Sequence, residues 1–375
     1  MRPIASGSLR MAIELSWRTA RSVALLGATL MATVAASTGA VAQALKDIRT
    51  PDTPLVLESR GSFFVGGDVV QQSFVELGSK VPADQITVNQ MYVEYMIPAT
   101  GKGIPVVMIH GSTLSGKTYD TTPDGRMGWY EYFVRRGHPV YVPDQVGRGR
   151  SGFNQAIFNN VAQGIVPPAQ QPRLTRLADR VGVWKNMRFG PNYPETYPNE
   201  RFPVEAIAEL SKQDIPDFNL AVPTPNPTFK ALSDLAIQVK GAVLLGHSQS
   251  GAFPMQAALV NPAAIKGFLL IEPGNCGTYT PEQIAILARI PALVVFGDHT
   301  DAPTGIESLP FLWRDALASC KAFIAQINAA HGNASLLSPA ELGPGNSHMI
   351  MQDKNNLEVA DRMLDWLDRN VKAKK

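Results

Sequence analysis

Ala242-Val243-Leu244-Leu245-Gly246-His247-Ser248-Gln249-Ser250-Gly251-Ala252-Phe253 is the stretch whose reading decides the fold. Residues 242–245 are continuously apolar, as in a strand covered on both faces. Ala252 to Leu259 is rich in small, helix-compatible residues. The turn between them places Ser248 at its tip. A strand-to-helix turn this tight strains the serine backbone and demands small residues two positions before and after it. Gly246 and Ser250 occupy those places, so serine replaces the usual second glycine, and Gly251 follows. Such a turn lifts the Ser248 hydroxyl above the sheet, close to a helix N-terminus whose partial positive charge favours an oxyanion. The Gly-x-Ser-x-Ser string alone is a weak signal. The strand before it and the helix after it give it weight.

Outward from this turn the chain alternates strands and helices. Ile104–Ile109, Pro139–Val142, Ala242–Leu245, Gly267–Ile271 and Ala292–Phe296 read as short buried strands. Helices fit 129–136, 281–289, 309–329 and 355–370, with another beginning near Gln249. The rhythm predicts an α/β fold with a mostly parallel central sheet and helices on both faces. Residues 43–60 read as an extended arm. Segments 61–75 and 86–97, with alternation at Met91, Val93, Tyr95 and Ile97, read as opening antiparallel strands.

Residues 153–228 break the rhythm. Pro167, Pro168, Pro172, Pro191, Pro194, Pro198, Pro203, Pro223, Pro225 and Pro227 exclude a central strand there. Long irregular insertions in compact domains are usually functional or disordered. With Trp184, Phe189, Tyr193, Tyr197 and Phe202, this one reads as a cap or lid between the two parts of the main domain, 43–152 and 229–375.

Residues 1–42 have a different character. Arg2, Arg10, Arg18 and Arg21 precede an apolar run, Val23–Ala36, and a small-residue site at Ala40-Val41-Ala42. This is the layout of a secretory signal peptide, with Met11 as an alternative start. The apolar run is short for a membrane span. Removing this segment takes away four Arg and one Glu, turning the formal charge of +2 into −1. The remaining chain has no basic cluster that would suggest nucleic acid. Secretion or a periplasmic location follows, and an oxidising compartment lets Cys276 and Cys320 pair. Two cysteines do not make a structural zinc site, and no His pair has ligand spacing on a helix, so neither metal nor cofactor is expected. A homodimer is compatible with the composition but not indicated by it.

A serine hydroxyl needs a neighbouring base. Of six histidines, His247 adjoins Ser248 and points elsewhere, His110 ends an early strand, and His138 begins one. His299 and His331 lie in loops. His348 lies in Gly343-Pro344-Gly345-Asn346-Ser347-His348-Met349, which reads as a flexible loop before the last helix. In sheets with this turn the chain order is serine, acid, histidine, which His348 fits. The acid is open on spacing alone. Asp298 and Asp301 follow one strand, and Glu272 ends the strand before it, at the carboxyl end where sites in such sheets collect. Ile109-His110-Gly111-Ser112 places the N–H of Ser112 near the turn. With the N–H of Gln249 it forms the expected oxyanion hole. Asp144–Ser151 reads as a structural turn.

Together these residues resemble the α/β-hydrolase superfamily over about residues 85–372. More narrowly, Gly61–Gly67, Gly246–Gly251, Glu272-Pro273-Gly274 and Asn346-Ser347-His348-Met349 are similar to secreted bacterial esterases of the Alcaligenes esterase type. That resemblance implies a serine esterase acting on a small-molecule ester, with Glu272 rather than Asp298 or Asp301 as triad acid and Ser112 in the oxyanion hole. A lactonase, thioesterase, amidase or carbon–carbon bond hydrolase would use the same residues. A silent ligand-binding protein on the same fold would not need them intact.

Overall fold

The computed structural model describes residues 43–371 apart from 50, 102, 178, 179, 181 and 306–311. The expected signal segment and Met11 lie outside the described residues. Among the described residues, eight strands form one sheet: β1 (Leu57–Gln72), β2 (Asp84–Pro98), β3 (Val106–Ile109), β4 (Val140–Pro143), β5 (Ala242–His247), β6 (Ile265–Ile271), β7 (Ala292–Val295) and β8 (Ala334–Leu337). Their order is β1-β2-β4-β3-β5-β6-β7-β8. β1 and β2 form a long antiparallel hairpin, and β2 runs antiparallel to β4. All strands from β3 onward are parallel. β4 lies on one side of β3 and β5 on the other. The strand order therefore reverses at β3, and the carboxyl ends of β3 and β5 flank the kind of switch point where ligands bind in such sheets.

The helices are α1 (Trp129–Arg135), α2 (Ala156–Ala162), α3 (Gly182–Asn186), α4 (Ile207–Gln213), α5 (Pro227–Gln238), α6 (Phe253–Val260), α7 (Pro281–Leu287), α8 (Trp313–Ala329), α9 (Pro339–Leu342) and α10 (Asn356–Asn370). The pleat sends alternate residues of each strand to opposite faces. Val106, Met108, Val243 and Leu245 pack with α1 and α10 through Trp129, Phe133, Val359 and Met363. Val107, Ile109 and Leu244 pack with α5 to α8 through Leu235, Met255, Leu287 and Phe323. Continuous apolar runs were the right signal because both faces are covered. Local chemistry sets the helix starts. Asn226 accepts the N–H of Thr228 as α5 opens on Pro227. Thr280 and Gln283 form a reciprocal capping box at the start of α7.

Three elements differ from the sequence reading. The helix expected near Gln249 begins as a 3₁₀ turn, Ser248–Ala252, and becomes α6 only at Phe253. The N-terminal arm joins the sheet from Leu57. The four-residue edge strand β8 carried no recognisable period and owes its strand conformation to pairing with β7.

The described residues of 153–228 add no strand to the main sheet. They form short helices and two isolated bridges, Thr175↔Asp217 and Asn192↔Glu195. Three of their aromatics do not stand apart from the body. Trp184, Phe189 and Phe202 are buried in the same core as α1 and α10.

Cys276 and Cys320 are linked, with Cα atoms 4.8 Å apart, tying the loop after β6 to α8. The bond closes a 44-residue separation. Replacing both cysteines with serine should cost about 2–4 kcal/mol of unfolding free energy. Denaturant titration followed by tryptophan fluorescence would measure it, and a change under about 0.5 kcal/mol would show the bond to be structurally idle.

Candidate active site

Ser248 sits between β5 and α6 with φ of +56°, a left-handed conformation that costs a non-glycine residue about 1–3 kcal/mol. The surrounding small residues make that bend possible. A Cβ on Gly246 would stand 2.1 Å from the carbonyl oxygen of Ser250. Ser250 is more than small: its hydroxyl accepts the N–H of His247 at 3.0 Å and lies 2.9 Å from the Ile109 carbonyl as donor. The bend is thereby pinned to the end of β3. Gly251 makes room for Pro273, whose Cβ would lie 2.3 Å from an added Cβ.

The half-buried Ser248 Oγ lies 2.9 Å from His348 Nε2. His348 Nδ1 lies 3.1 Å from Glu272 Oε2. His348 and Glu272 are fully buried. With Nδ1–H donating to the carboxylate, Nε2 is free to accept the serine proton. The loop bearing His348 is not the flexible one expected. The buried Asp353 carboxylate accepts the Ser347 N–H at 2.8 Å, the Ser347 hydroxyl at 2.6 Å and the Asn346 side chain at 3.0 Å. The His348 N–H donates to the Met187 carbonyl at 2.9 Å. The imidazole also packs against Trp313, ring centroids 4.0 Å apart, and the His348 backbone carbonyl accepts from His247 Nε2.

Glu272 has an unforeseen partner. Arg188, fully buried in the insertion, donates Nη2 to Glu272 Oε1 at 2.6 Å and Nε to the Asp298 carbonyl at 2.6 Å. The Gly297 N–H also donates to Oε1, which leaves Oε2 for His348. Burial pushes the Glu272 carboxyl up, but Arg188 and the His348 hydrogen bond outweigh it and bring it down to about 2. Burial holds His348 below the usual imidazole value, against the pull of Glu272. The resting pair is therefore a carboxylate beside a neutral imidazole.

The other acid candidates are engaged elsewhere. Asp298 accepts the N–H groups of His299 and Gly345. Asp301 is mostly exposed near Arg314. His299 stacks on Tyr197 at 4.0 Å, and His331 is exposed. His138 is buried and faces the Ile104 carbonyl. His110 is buried too: its Nε2 accepts the Gln145 N–H, so Nδ1–H donates to the Gly111 carbonyl at 2.9 Å. Gly111 approaches Ser248 so closely that an added Cβ would stand 3.0 Å from the serine Cβ. Among the described residues, neither the Ser112 N–H nor the Gln249 N–H donates to a protein acceptor. Among those residues, no group of three His, Cys, Asp or Glu could hold a metal ion, and no helix is long and apolar enough to cross a membrane.

Residues 106–369 match the alpha/beta hydrolase family. The chain belongs to that family. This α/β hydrolase is 48% identical to a solved structure described as a novel bacterial esterase, with a TM-score of 0.79 over 86% of this chain and 99% of the other. It is also 25% identical over 361 residues to the probable secreted lipase phiG of Fungal sp. (strain ATCC 74256), covering 84% of this chain and 95% of that one. The α/β hydrolase is thus of the esterase and lipase type. The signals for Ser248 and the Gly111 loop lie in local sequence, and that for His348 in chain order. Nothing local marks Arg188, Trp313 or Asp353, which reach the site only through the tertiary fold.

Arg188→Met should destabilise the protein by about 3–5 kcal/mol at neutral pH, because it leaves a buried carboxylate without its cation. A carboxyl depressed by folding stabilises above its ordinary value of 4.5, and that stability is lost as pH falls toward about 2. The difference between wild type and variant should therefore narrow in acid. Denaturation series between neutral pH and about pH 3 would check this, and a constant difference would refute it.

Proposed function

We propose that this hydrolase cleaves carboxylic esters in two acyl-transfer steps, with Ser248 as nucleophile, His348 as general base and Glu272 as orienting acid. His348 takes the serine proton as Oγ attacks the carbonyl. It then gives that proton to the leaving alcohol, and water repeats the sequence on the acyl-enzyme. Glu272 keeps the imidazole in the productive tautomer and stabilises the imidazolium. The N–H groups of Ser112 and Gln249 receive the developing oxyanion. The observation that carries this reading is the unbroken line from Ser248 Oγ through His348 to Glu272, at 2.9 and 3.1 Å. The likeness to a bacterial esterase supports the choice of an ester over an amide or lactone. We read residues 153–228 as the cap over this site, and residues 1–42 as the export signal of a secreted or periplasmic enzyme. The Cys276–Cys320 bond fits that compartment.

Ser248→Ala should abolish hydrolysis of simple p-nitrophenyl esters and labelling by a fluorophosphonate while leaving the fold intact. Full activity in that variant would end the proposal. Glu272→Gln should lose on the order of a thousandfold or more in kcat, and Asp298→Asn should stay active. The reverse pattern would move the acid to Asp298.

The base acts only when neutral, so kcat/KM should fall as pH drops through the His348 pKa. Burial places that acid limb below the ordinary imidazole value of 6.5. A pH–rate profile whose acid limb lies above 6.5 would contradict this assignment.

A further inference from the structure

Asp217 belongs to the insertion, and its carboxylate touches both chain segments that supply the oxyanion amides. Oδ2 accepts the Ser112 hydroxyl at 2.6 Å, the Gln249 side-chain amide at 3.0 Å and the Thr113 N–H at 3.4 Å. Oδ1 accepts Arg148 Nη2 at 2.5 Å and the Asn219 N–H at 2.8 Å. Arg148 is fully buried and Asp217 nearly so. Arg148 Nη2 also meets Gln249 Oε1 at 3.2 Å, so both ends of that side-chain amide are fixed. Arg148 Nη1 donates to the Gly111 carbonyl at 3.3 Å, alongside His110 Nδ1. That carbonyl belongs to the same planar peptide unit as the Ser112 N–H. Two donors gripping the oxygen fix the plane, and with it the direction of the N–H on the opposite side.

We propose that the Asp217–Arg148 pair is the positioning device of the oxyanion hole, aligning the Gly111–Ser112 peptide and Gln249 without touching substrate. This rests on the acyl-transfer reading above. Burying two charges is costly, and a well-packed apolar pair would often be as stable. The geometry explains their presence, because the pair bridges the loops after β3 and β5, on the two sides of the switch point. A donor that must meet an oxyanion within a few tenths of an ångström needs its peptide held in this way.

The test compares Ser112→Ala, Gln249→Ala and Asp217→Asn, each confirmed folded by thermal unfolding. Substrates are p-nitrophenyl esters. Inhibitors are a trifluoromethyl ketone, which forms an oxyanion on Ser248, and its secondary-alcohol analogue, which cannot. Asp217→Asn should lower kcat by about a hundredfold with KM changed less than about threefold, the scale of losing one oxyanion donor. Ser112→Ala and Gln249→Ala should each lower kcat by about tenfold, and Ser112→Ala should add nothing in the Asp217→Asn background. Trifluoromethyl ketone affinity should fall with kcat while alcohol affinity holds. If Asp217→Asn does not fold, the two single truncations decide by the same criteria. Unchanged kcat in the folded variants, or equal weakening of ketone and alcohol, would overturn the inference. Activity surviving Ser248→Ala would instead sink the underlying mechanism.

Discussion

The left-handed backbone of Ser248 is the constraint on which the rest of the site depends. One residue must leave a buried strand and enter a helix within a single bend. Everything close to it is shaped by that demand. Gly246 permits the close pass of Ser250, and Ser250 turns its hydroxyl into a tie between the bend and β3. Gly251 lets Pro273 rest against the bend, and Pro273 directly follows Glu272. Glu272 is itself left-handed, with φ of +49°. Two strained residues at the carboxyl ends of adjacent parallel strands thus brace one another, and the serine and the acid are set by the same contact.

Three buried carboxylates organise the space above the sheet, and each holds one otherwise mobile part. Glu272 holds the imidazole, Asp353 holds the loop that delivers it, and Asp217 holds the loops after β3 and β5. Such groups are expensive to bury unless donors satisfy them. Here backbone N–H groups, hydroxyls and two buried arginines do so. The result is a rigid polar shell with the imidazole kept neutral at its centre.

What could be read from the sequence was whatever depends on neighbours along the chain. Continuous apolar runs marked β3, β5, β6 and β7 because both of their faces are covered. The Gly246–Gly251 string marked the bend because its steric demand is local. His348 followed from chain order in such folds. Spacing alone does not single out Glu272, since three carboxylates follow strand ends and only the fold brings one to the imidazole. Nothing local singles out Arg188 or Asp217 either. Both lie in a proline-rich insertion without a period, and their partners are 84 and 105 residues away. β8 was missed for the same reason, its conformation being imposed by β7.

Long connecting segments on a fold's surface generally tolerate exchange without disturbing the body they interrupt. Here that modularity is broken. Met187 and Arg188 bond to His348 and Glu272, Asp217 pairs with Arg148, and Trp184, Phe189 and Phe202 are rooted in the body's own core. A transplanted segment lacking these residues would strip a counter-ion from one acid and a carboxylate from one arginine. Exchange of this segment without loss of buried ion pairs is therefore open only to its outer stretches, because its inner lining is tied to Glu272 and Arg148.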